Sequence, residues 1–552
     1  MQKVLTAEEM REVDRLTVEK YNLPFIILME NAAHAAARVI AEKLNGSVAG
    51  KSFLILCGKG NNGGDGAALA RILWTQDANV HVVLIGKVEE AKEEAKTNFE
   101  ITKALQKKAL INFYEYSTNE EISNLFNYLH TIELNVIIDA LFGTGLIRPI
   151  KGIYDWAVRN SYDYQLDKKH TLIVSLDLPS GLNSDLSNPI GENVQSQLTI
   201  TFTAPKPANV LPPASHFNGE LVTVNIGSPP ELIDNSPSQL FLAEKQDAQN
   251  WLAQTKFTVD SYKKTRGHVL VVAGTKNMSG AAALCANASM TSGVGLVTVA
   301  TPEAARSAVA AHALPEIMVS GVAETENGAI DESALEKVLS LSEKTNVAIV
   351  GCGLSSNEGS TRKFVEHFVK NRQTPVVIDA DGLNALAPFD LTGNDESPLI
   401  LTPHIGEMRR LLGVDENFDF SDRVEIVRQF AQKHHVILVL KGERTLIAAP
   451  NGQVVINPTG NAGLGKGGNG DTLAGIIAGF VAQSMAAPKN FSFYTPVAQP
   501  WQIEAVFEAV VAALYVAGLA GDVAAKKIGM RTMTASDVRE CLSEAFRELE
   551  NE

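Results

Sequence analysis

The sequence predicts two three-layer α/β domains in tandem, each built on a mainly parallel sheet. Three observations predict it. Short runs rich in Val, Ile and Leu alternate with helical stretches along both halves of the chain. These runs lack the polar alternation of a half-exposed sheet, so helices must cover both faces. The alternation breaks once, at 227–238, where Gly227-Ser228-Pro229-Pro230 and Ser236-Pro237 supply turn chemistry. The expected division is a first domain over 1–230, a linker over 231–250 and a second domain over 251–552.

In chain order, Thr6 and Glu9 have the spacing of a capping box that opens a helix. Strands are expected at 52–57, 80–85, 135–139, 171–177, 198–202 and 220–226. Helical stretches fall at 65–75 and 87–106. In the second half, strands are expected at 268–273, 296–300, 347–351, 375–379, 398–402, 436–441, 445–449 and 453–457. Ala-rich helices follow at 279–292, 471–484 and 502–519. The halves share an architecture but no evident sequence, which reads as fusion rather than duplication.

Composition narrows the function classes. The 552 residues are 45% apolar and 20% charged, as in ordinary globular proteins. Lys and Arg number 48 against 63 Asp and Glu, a net charge of −15. Such a chain has no general electrostatic footprint for nucleic acid or an anionic membrane. Any phosphate must be held locally, by backbone N–H groups, helix N-termini and a few placed cations. Cys57, Cys285, Cys352 and Cys541 show neither metal-ligand nor C-x-x-C spacing. A reducing compartment, the cytoplasm, is expected. The start lacks a continuous apolar signal region, and no run of about 18 uncharged apolar residues announces a membrane span.

The chemistry of the first half lies in three strand-end loops. Gly58, Gly60 and Gly63 satisfy G-x-G-x-x-G between a strand and a helix. A dinucleotide-binding reading would need an acid ending the next strand. That strand ends Leu84-Ile85-Gly86-Lys87, and Lys87 fits a 2′-phosphate or a solvated charge equally. The other two loops are Asp139-Ala140-Leu141-Phe142-Gly143-Thr144-Gly145-Leu146 and Asp177-Leu178-Pro179-Ser180-Gly181-Leu182. In a parallel sheet these ends open on one crevice. It would gather Asn62, Asp65, Asp139, Asp177 and Ser180, a low-charge oxygen set suited to a hard monovalent cation. Any single Asp there also reads as a turn or helix cap. Three loops at one edge favour a ligand site.

These motifs, with Leu28-Met29-Glu30-Asn31-Ala32 and Thr203-Ala204-Pro205-Lys206, resemble the N-terminal NAD(P)H-hydrate epimerase family over most of 1–226. The resemblance implies a Rossmann-like fold, epimerisation of hydrated nicotinamide cofactors and a bound potassium ion. It also implies a substrate loop of Asn61, Asn62, Gly63, Gly64 and Asp65. A second loop would comprise Gly143, Thr144, Gly145, Leu146, Ile147, Arg148 and Pro149. Asp177 would be catalytic and touch substrate, and Asn62, Asp139 and Ser180 would hold potassium.

In the second half, 460–467 spells G-x-x-x-x-G-K, but Gly467 replaces the Ser or Thr that a P-loop needs for Mg²⁺. The following Gly467-Gly468-Asn469-Gly470-Asp471-Thr472 leads into a helix. Glycines at a helix N-terminus expose N–H groups to an anion, and the helix dipole adds to the attraction. Asp471 can act there as general base or as a plain cap.

This start resembles the ribokinase-like fold. Lys264–Leu270, Ala273-Gly274, Ser279–Ala282, Ser292–Thr298, Gly351–Leu354, Asp379–Leu383, Thr402–Glu407 and Lys441–Thr445 continue in order. Over about 255–545 the chain is similar to ADP-dependent NAD(P)H-hydrate dehydratase. Two departures, Ala462 for a usual Pro and Asn469 for a usual Ser, bear on loop rigidity. The resemblance implies that Asp471 is the base and that Ala281, Gly353, His404 and Asp471 line the hydrated-cofactor site. Lys441, Gly442, Glu443, Arg444, Thr445 and Gly470 would hold the adenine nucleotide with Mg²⁺. His404 also reads as a capped turn. The expected partners are small molecules, hydrated NADH or NADPH and ADP, with self-association into a homo-oligomer.

The chemistry implied is economical. Hydration leaves a hydroxyl at C6 of the ring in two epimers. Hydroxide leaves poorly, so the hydroxyl is phosphorylated and phosphate eliminated, while the other domain converts the unused epimer. Rival readings are a vitamin-alcohol kinase, a nucleotide-responsive binding module in the first half, and a transhydrogenase.

Overall fold

The computed structural model describes residues 1–108, 110–487 and 502–550. The chain divides into two compact units, residues 2–238 and residues 239–552 together with Met1.

The first unit holds seven parallel strands in the order Asn112–Tyr116, Asn79–Ile85, Ser52–Cys57, Val136–Ala140, Leu172–Leu176, Leu198–Phe202, Glu220–Val224. The chain winds outward in one direction from Ser52–Cys57 and then returns to wind the other way. The switch falls between Ser52–Cys57 and Val136–Ala140, where open α/β sheets keep their ligand crevice. Alternate residues on each strand feed two separate cores. Phe53, Ile55 and Cys57 pack with helices Phe25–Lys43, Asn61–Thr75 and Glu93–Gln106. Leu54 and Leu56 pack with helices Asn119–Leu129 and Ile153–Asp167. The expected three layers are present.

Local details correct the sequence reading. Asn112–Tyr116 is a strand that the sequence did not announce. The helix expected from 65 begins at Asn61, so Asn61–Asp65 form its first turn. The stretch 87–106 is broken into a 3₁₀ turn, Val88–Glu90, and helix Glu93–Gln106. The Thr6 capping box is formed: Glu9 N donates to Thr6 Oγ1 at 3.3 Å and Thr6 N to Glu9 Oε2 at 2.8 Å. It opens helix Ala7–Tyr21, whose buried stripe is Met10, Val13 and Thr17.

The second unit's sheet runs Leu240–Leu242, Val454–Ile456, Leu446–Ala448, Ile437–Leu440, Leu399–Leu401, Val376–Ile378, Val347–Val350, His268–Val272, Leu296–Pro302, Met318–Val322. Leu446–Ala448 is antiparallel to both neighbours, and the other pairings are parallel. Five adjacent parallel strands, from His268–Val272 to Ile437–Leu440, therefore end on one edge. Val269, Val271, Val347 and Ile349 enter a core with helices Lys245–Gln254, Ser279–Thr291, Asn469–Ala486 and Gln502–Ile528. On the other face Leu270, Val272, Ala348 and Val350 are equally buried. Met318–Val322 and Leu240–Leu242 were not expected as strands.

Gln502–Ile528 contains the one helix, among the described residues, long and apolar enough to cross a membrane. It is a core helix instead, with Val506, Ala509, Val510, Ala513 and Val516 at 0% exposure. Helices Ser279–Thr291 and Asn469–Ala486 touch backbone to backbone. A Cβ on Gly475 would lie 2.2 Å from the Cys285 carbonyl oxygen, closer than any side chain permits.

Candidate active sites

At the first unit's switch point the two central loops are in contact. Gly58 N donates to the Ala140 carbonyl at 3.0 Å, and a Cβ on Gly58 would lie 2.0 Å from the Leu141 oxygen. The glycine is required by that approach. Asn62, in the first turn of its helix, is only 8% exposed, yet its amide oxygen and nitrogen have no partner. A Cβ on Gly143 would stand 3.3 Å from Asp177 Oδ2 and 3.5 Å from Asn62 Cγ. Three sequence-predicted residues from three strand ends thus meet around one open point.

Asp139 and Ser180 are joined to the same loops, Phe142 N donating to Ser180 Oγ at 2.8 Å. Asp139 accepts from Ser180 N and Ser175 Oγ, both at 2.8 Å, from Ser180 Oγ at 2.6 Å and from Leu141 N at 3.2 Å. Burial nevertheless raises its carboxyl above the usual range, against those hydrogen bonds. Asp65 is raised further, first by burial and then by the charges of Asp177 and Asp14. At the end of the second loop Ile147, Arg148 and Pro149 are exposed, and Pro149 packs beside Gly191.

Asp177 adopts a left-handed backbone conformation, φ 64°. Its Oδ1 is ion-paired with Lys206 and also accepts from Thr201 Oγ1 at 3.2 Å and Phe202 N at 3.3 Å. Lys206 is 1% exposed and donates further to Thr201 Oγ1 and the Phe202 carbonyl, each at 3.0 Å. Lys206 has no role legible in its local sequence, because its partner is 29 residues away. Asp14 was not among the residues expected from the sequence. Asp14 Oδ1 is buried without a hydrogen-bond partner. Burial pushes this carboxyl up to about 6, with Lys206 opposing and Asp177 adding. The available signal was its position four residues after Met10, beside a buried stripe.

In the second unit, the strand-end loops bring most of the expected residues together. Gly353 (φ 64°) faces Ala281: a Cβ there would lie 3.0 Å from the Ala281 Cβ. His404 caps helix Ile405–Leu412, its Nδ1 accepting from Gly406 N at 2.9 Å and Glu407 N at 3.2 Å. The capped-turn reading of His404 therefore holds. With Nδ1 accepting, a neutral ring carries its proton on Nε2, on a side chain 55% exposed. Lys441 N donates to the Pro403 carbonyl at 2.8 Å, which ties these two loops.

Lys441 Nζ lies 2.6 Å from Asp379 Oδ1 and 4.0 Å from Glu407 Oε2. Burial opposes its charge, but the two carboxylates prevail and hold it above the usual lysine range. Gly442 to Thr445 turn the chain into Leu446–Ala448, with Thr445 Oγ1 donating to the Gly442 carbonyl at 3.0 Å. Gly470 faces the ion pair: its Cβ position is 3.6 Å from Asp379 Oδ2 and 3.7 Å from Lys441 Nζ. Gly468, at φ 89°, caps helix Asn469–Ala486 and leaves Asp471 in its first turn. Burial pushes Asp471 up to about 6, with Asp379 adding and the Cys352 thiol and Lys441 opposing. Asp379 and Cys352 were quoted in the sequence motifs without a role.

The P-loop look-alike is excluded by its lysine. Lys466 Nζ donates to the Arg531 and Met533 carbonyls, each at 2.7 Å, and serves as a structural clasp.

A family described as NAD(P)H-hydrate dehydratase matches residues 269–544, and one described as YjeF-related protein N-terminus matches residues 26–208. The bifunctional NAD(P)H-hydrate repair enzyme Nnr of Moorella thermoacetica is 37% identical over 100% of this chain and 97% of its own length. The Thermofilum pendens enzyme of the same name is 31% identical over 99% of this chain and 97% of its own. The ADP/ATP-dependent NAD(P)H-hydrate dehydratase of Bacillus subtilis, co-crystallised with ATP and Mg²⁺, aligns at a TM-score of 0.46 and 28% identity. That alignment covers 56% of this chain and 99% of the other.

Proposed function

The chain belongs to the bifunctional NAD(P)H-hydrate repair enzymes, and on that premise we propose how its two units divide the repair of hydrated NADH and NADPH. The first unit interconverts the R and S epimers. The ribokinase-like second unit dehydrates the S form with ADP, releasing AMP, phosphate and NAD(P)H.

One observation carries the second assignment. Asp471, a carboxyl that changes charge near pH 6, sits at a glycine-rich helix start beside the Asp379–Lys441 pair. That arrangement suits a base next to an anion. Asp471 takes the proton of the C6 hydroxyl as its oxygen receives the phosphoryl group of ADP. The amides of Gly468 to Gly470 and the Lys441 ammonium steady the transferring phosphoryl. The C6–O bond then breaks with phosphate, a proton leaves C5 and the ring double bond returns. Ala281, Gly353 and His404 hold the hydrated ring, and Lys441 to Thr445 hold the nucleotide. Mg²⁺, when bound, screens the nucleotide's charge, and the Asp379 carboxylate is of the oxygen type it prefers.

In the first unit Asn61 to Asp65, Gly143 to Pro149 and Asp177 take the substrate. The unpartnered amide of Asn62, with Asp139 and Ser180, fits potassium, which prefers neutral and singly charged oxygens and offsets the burial of Asp139.

The test supplies the full chain with each separated epimer of hydrated NADH, with ADP or ATP, and follows dihydronicotinamide absorbance. Absorbance should rise with ADP and the S epimer, and with the R epimer after conversion. No rise with either nucleotide would refute the reading. In Asp471→Asn the rise should slow by about 10²–10⁴-fold while epimer exchange continues.

A further inference from the structure

Inversion of C6 through a planar iminium is served best by an acid–base group on each face of the ring, and Asp177 supplies one. We propose that Asp14 is the second acid–base group of epimerisation, meeting the substrate opposite Asp177. The inference rests on the epimerase reading of the first unit.

The placement comes from packing. Met10 and Val13 of helix Ala7–Tyr21 share a buried cluster with Leu5 and with Ala204, in the segment between Thr201 and Lys206. Asp14, on the turn after Met10, lies close enough to the Asp177–Lys206 ion pair and to Asp65 for their charges to act on one another. The groups facing it from those elements are Lys206, Asp177 and Asp65. The other carboxylates packed on its helix are engaged at the ends, Asp185 by Ala7 N and Glu231 by Tyr21. Asp14 Oδ1 is buried with no partner, and the nine-tenths buried amide of Asn62 is also unpartnered. A buried carboxyl oxygen without a hydrogen-bond partner is the kind of group that faces a ligand.

The two carboxyls are differently provided. Asp177 is ion-paired with a buried lysine, whereas Asp14 has no hydrogen-bonded cation and keeps a proton to about pH 6. The carboxyl without a cation suits the acid and the ion-paired one the base. In one direction the N1 lone pair expels the C6 hydroxyl, which leaves as water with the Asp14 proton, and a C6=N1 iminium forms. Water adds to the opposite face of C6 and gives a proton to Asp177, and the electron pair returns to N1. One proton has passed from Asp14 to Asp177, and solvent exchange returns it. The reverse epimerisation exchanges the roles.

The experiment follows conversion of the separated R epimer to S by chromatography, with the full chain and no nucleotide. Wild-type exchange should fall as pH rises past about 6, as the Asp14 proton is lost. Asp14→Asn should slow exchange by about 10²-fold or more and lose that pH limb. Asp14→Glu should restore part of the rate, and dehydration of the S epimer should be untouched. Wild-type exchange in Asp14→Asn overturns the proposal, as does a slowed exchange that keeps the limb, which marks a structural role only. Absence of exchange above the spontaneous rate in the wild type refutes the epimerase reading itself.

Discussion

Lys441 Nζ lies 2.6 Å from Asp379 Oδ1, a pair drawn from strand ends 62 residues apart, and Gly470 faces both groups. The pair also acts on Asp471, one residue on from Gly470, whose carboxyl is raised first by burial. Asp379 raises the Asp471 carboxyl and Lys441 lowers it.

Asp379→Asn removes the raising charge and leaves Lys441 with only Glu407 as a compensating carboxylate, and both changes favour ionised Asp471. Dehydration needs Asp471 ionised, so its rate should rise with pH through about 6 in the wild type. In the variant that limb should move to lower pH by about one unit, with a lower maximum rate. A pH–rate profile with the S epimer measures this, and an unmoved or upward-shifted limb counts against the coupling.

Gly470→Ala should fold well. Its nearest neighbours would stand at 3.6 and 3.7 Å, an ordinary contact distance, and Ala suits a helix better than Gly. The methyl group would occupy the space above Asp379 and Lys441. Nucleotide KM should therefore rise by about tenfold, the equivalent of roughly 1.4 kcal/mol, without a fall in Tm. Unchanged KM would place the nucleotide elsewhere.

Asp177→Ala should stop epimer exchange and leave dehydration intact, so that a mixed sample is consumed only to its S fraction. It also strands Lys206, a buried ammonium. Removing one partner of such a pair typically costs about 3–5 kcal/mol. Urea unfolding of the first unit should show this loss in Asp177→Ala and Asp177→Asn alike, with a further cost in Asp177→Ala because Ala is strained in the left-handed backbone that Asn tolerates.

Asp14 also leaves a mark on stability. Its folded pKa, about 6, lies above the ordinary 3.8, so folding favours the protonated form. Its contribution is full below about pH 4 and is lost as pH rises through 6. Asp14→Asn does not titrate, and should stabilise the first unit at pH 8 by up to about 2–3 kcal/mol and not at pH 4. Denaturant melts at the two pH values test the sign.

Asn62 predicts an ion dependence. Potassium should raise the melting temperature of the wild type relative to an equal concentration of a bulky organic cation. In Asn62→Leu that difference should shrink or vanish. An equal difference in both proteins would remove Asn62 from the ion's shell.

The central strands were legible because burial on both faces writes an uninterrupted apolar run. Three strands that were not legible, Asn112–Tyr116, Leu240–Leu242 and Met318–Val322, lie toward the sheet margins. There the covering is incomplete and polar residues intrude, as Asn112 and Glu115 do. The same logic divides the sites. Glycine loops and the Asp471 helix start carry local signatures. Lys206, Asp379 and Asp14 acquire meaning only from partners distant in the chain, and Asp14 looks locally like any polar residue of an amphipathic helix.

The contact of Gly475 with the Cys285 carbonyl has a mechanical consequence. Helix Ser279–Thr291 begins at the wall formed by Ala281, and helix Asn469–Ala486 begins at Gly470 and Asp471. Ser289 Oγ also donates to the Gly475 carbonyl at 3.0 Å, and Ser292 Oγ occupies the place of a Gly479 side chain. Fastened along their lengths, the two helices move as one lever. A tilt that displaces the base displaces the wall against which the hydrated ring rests. Their spacing is set by backbone atoms rather than rotatable side chains, so thermal motion can slide the pair within the crevice but hardly spread it.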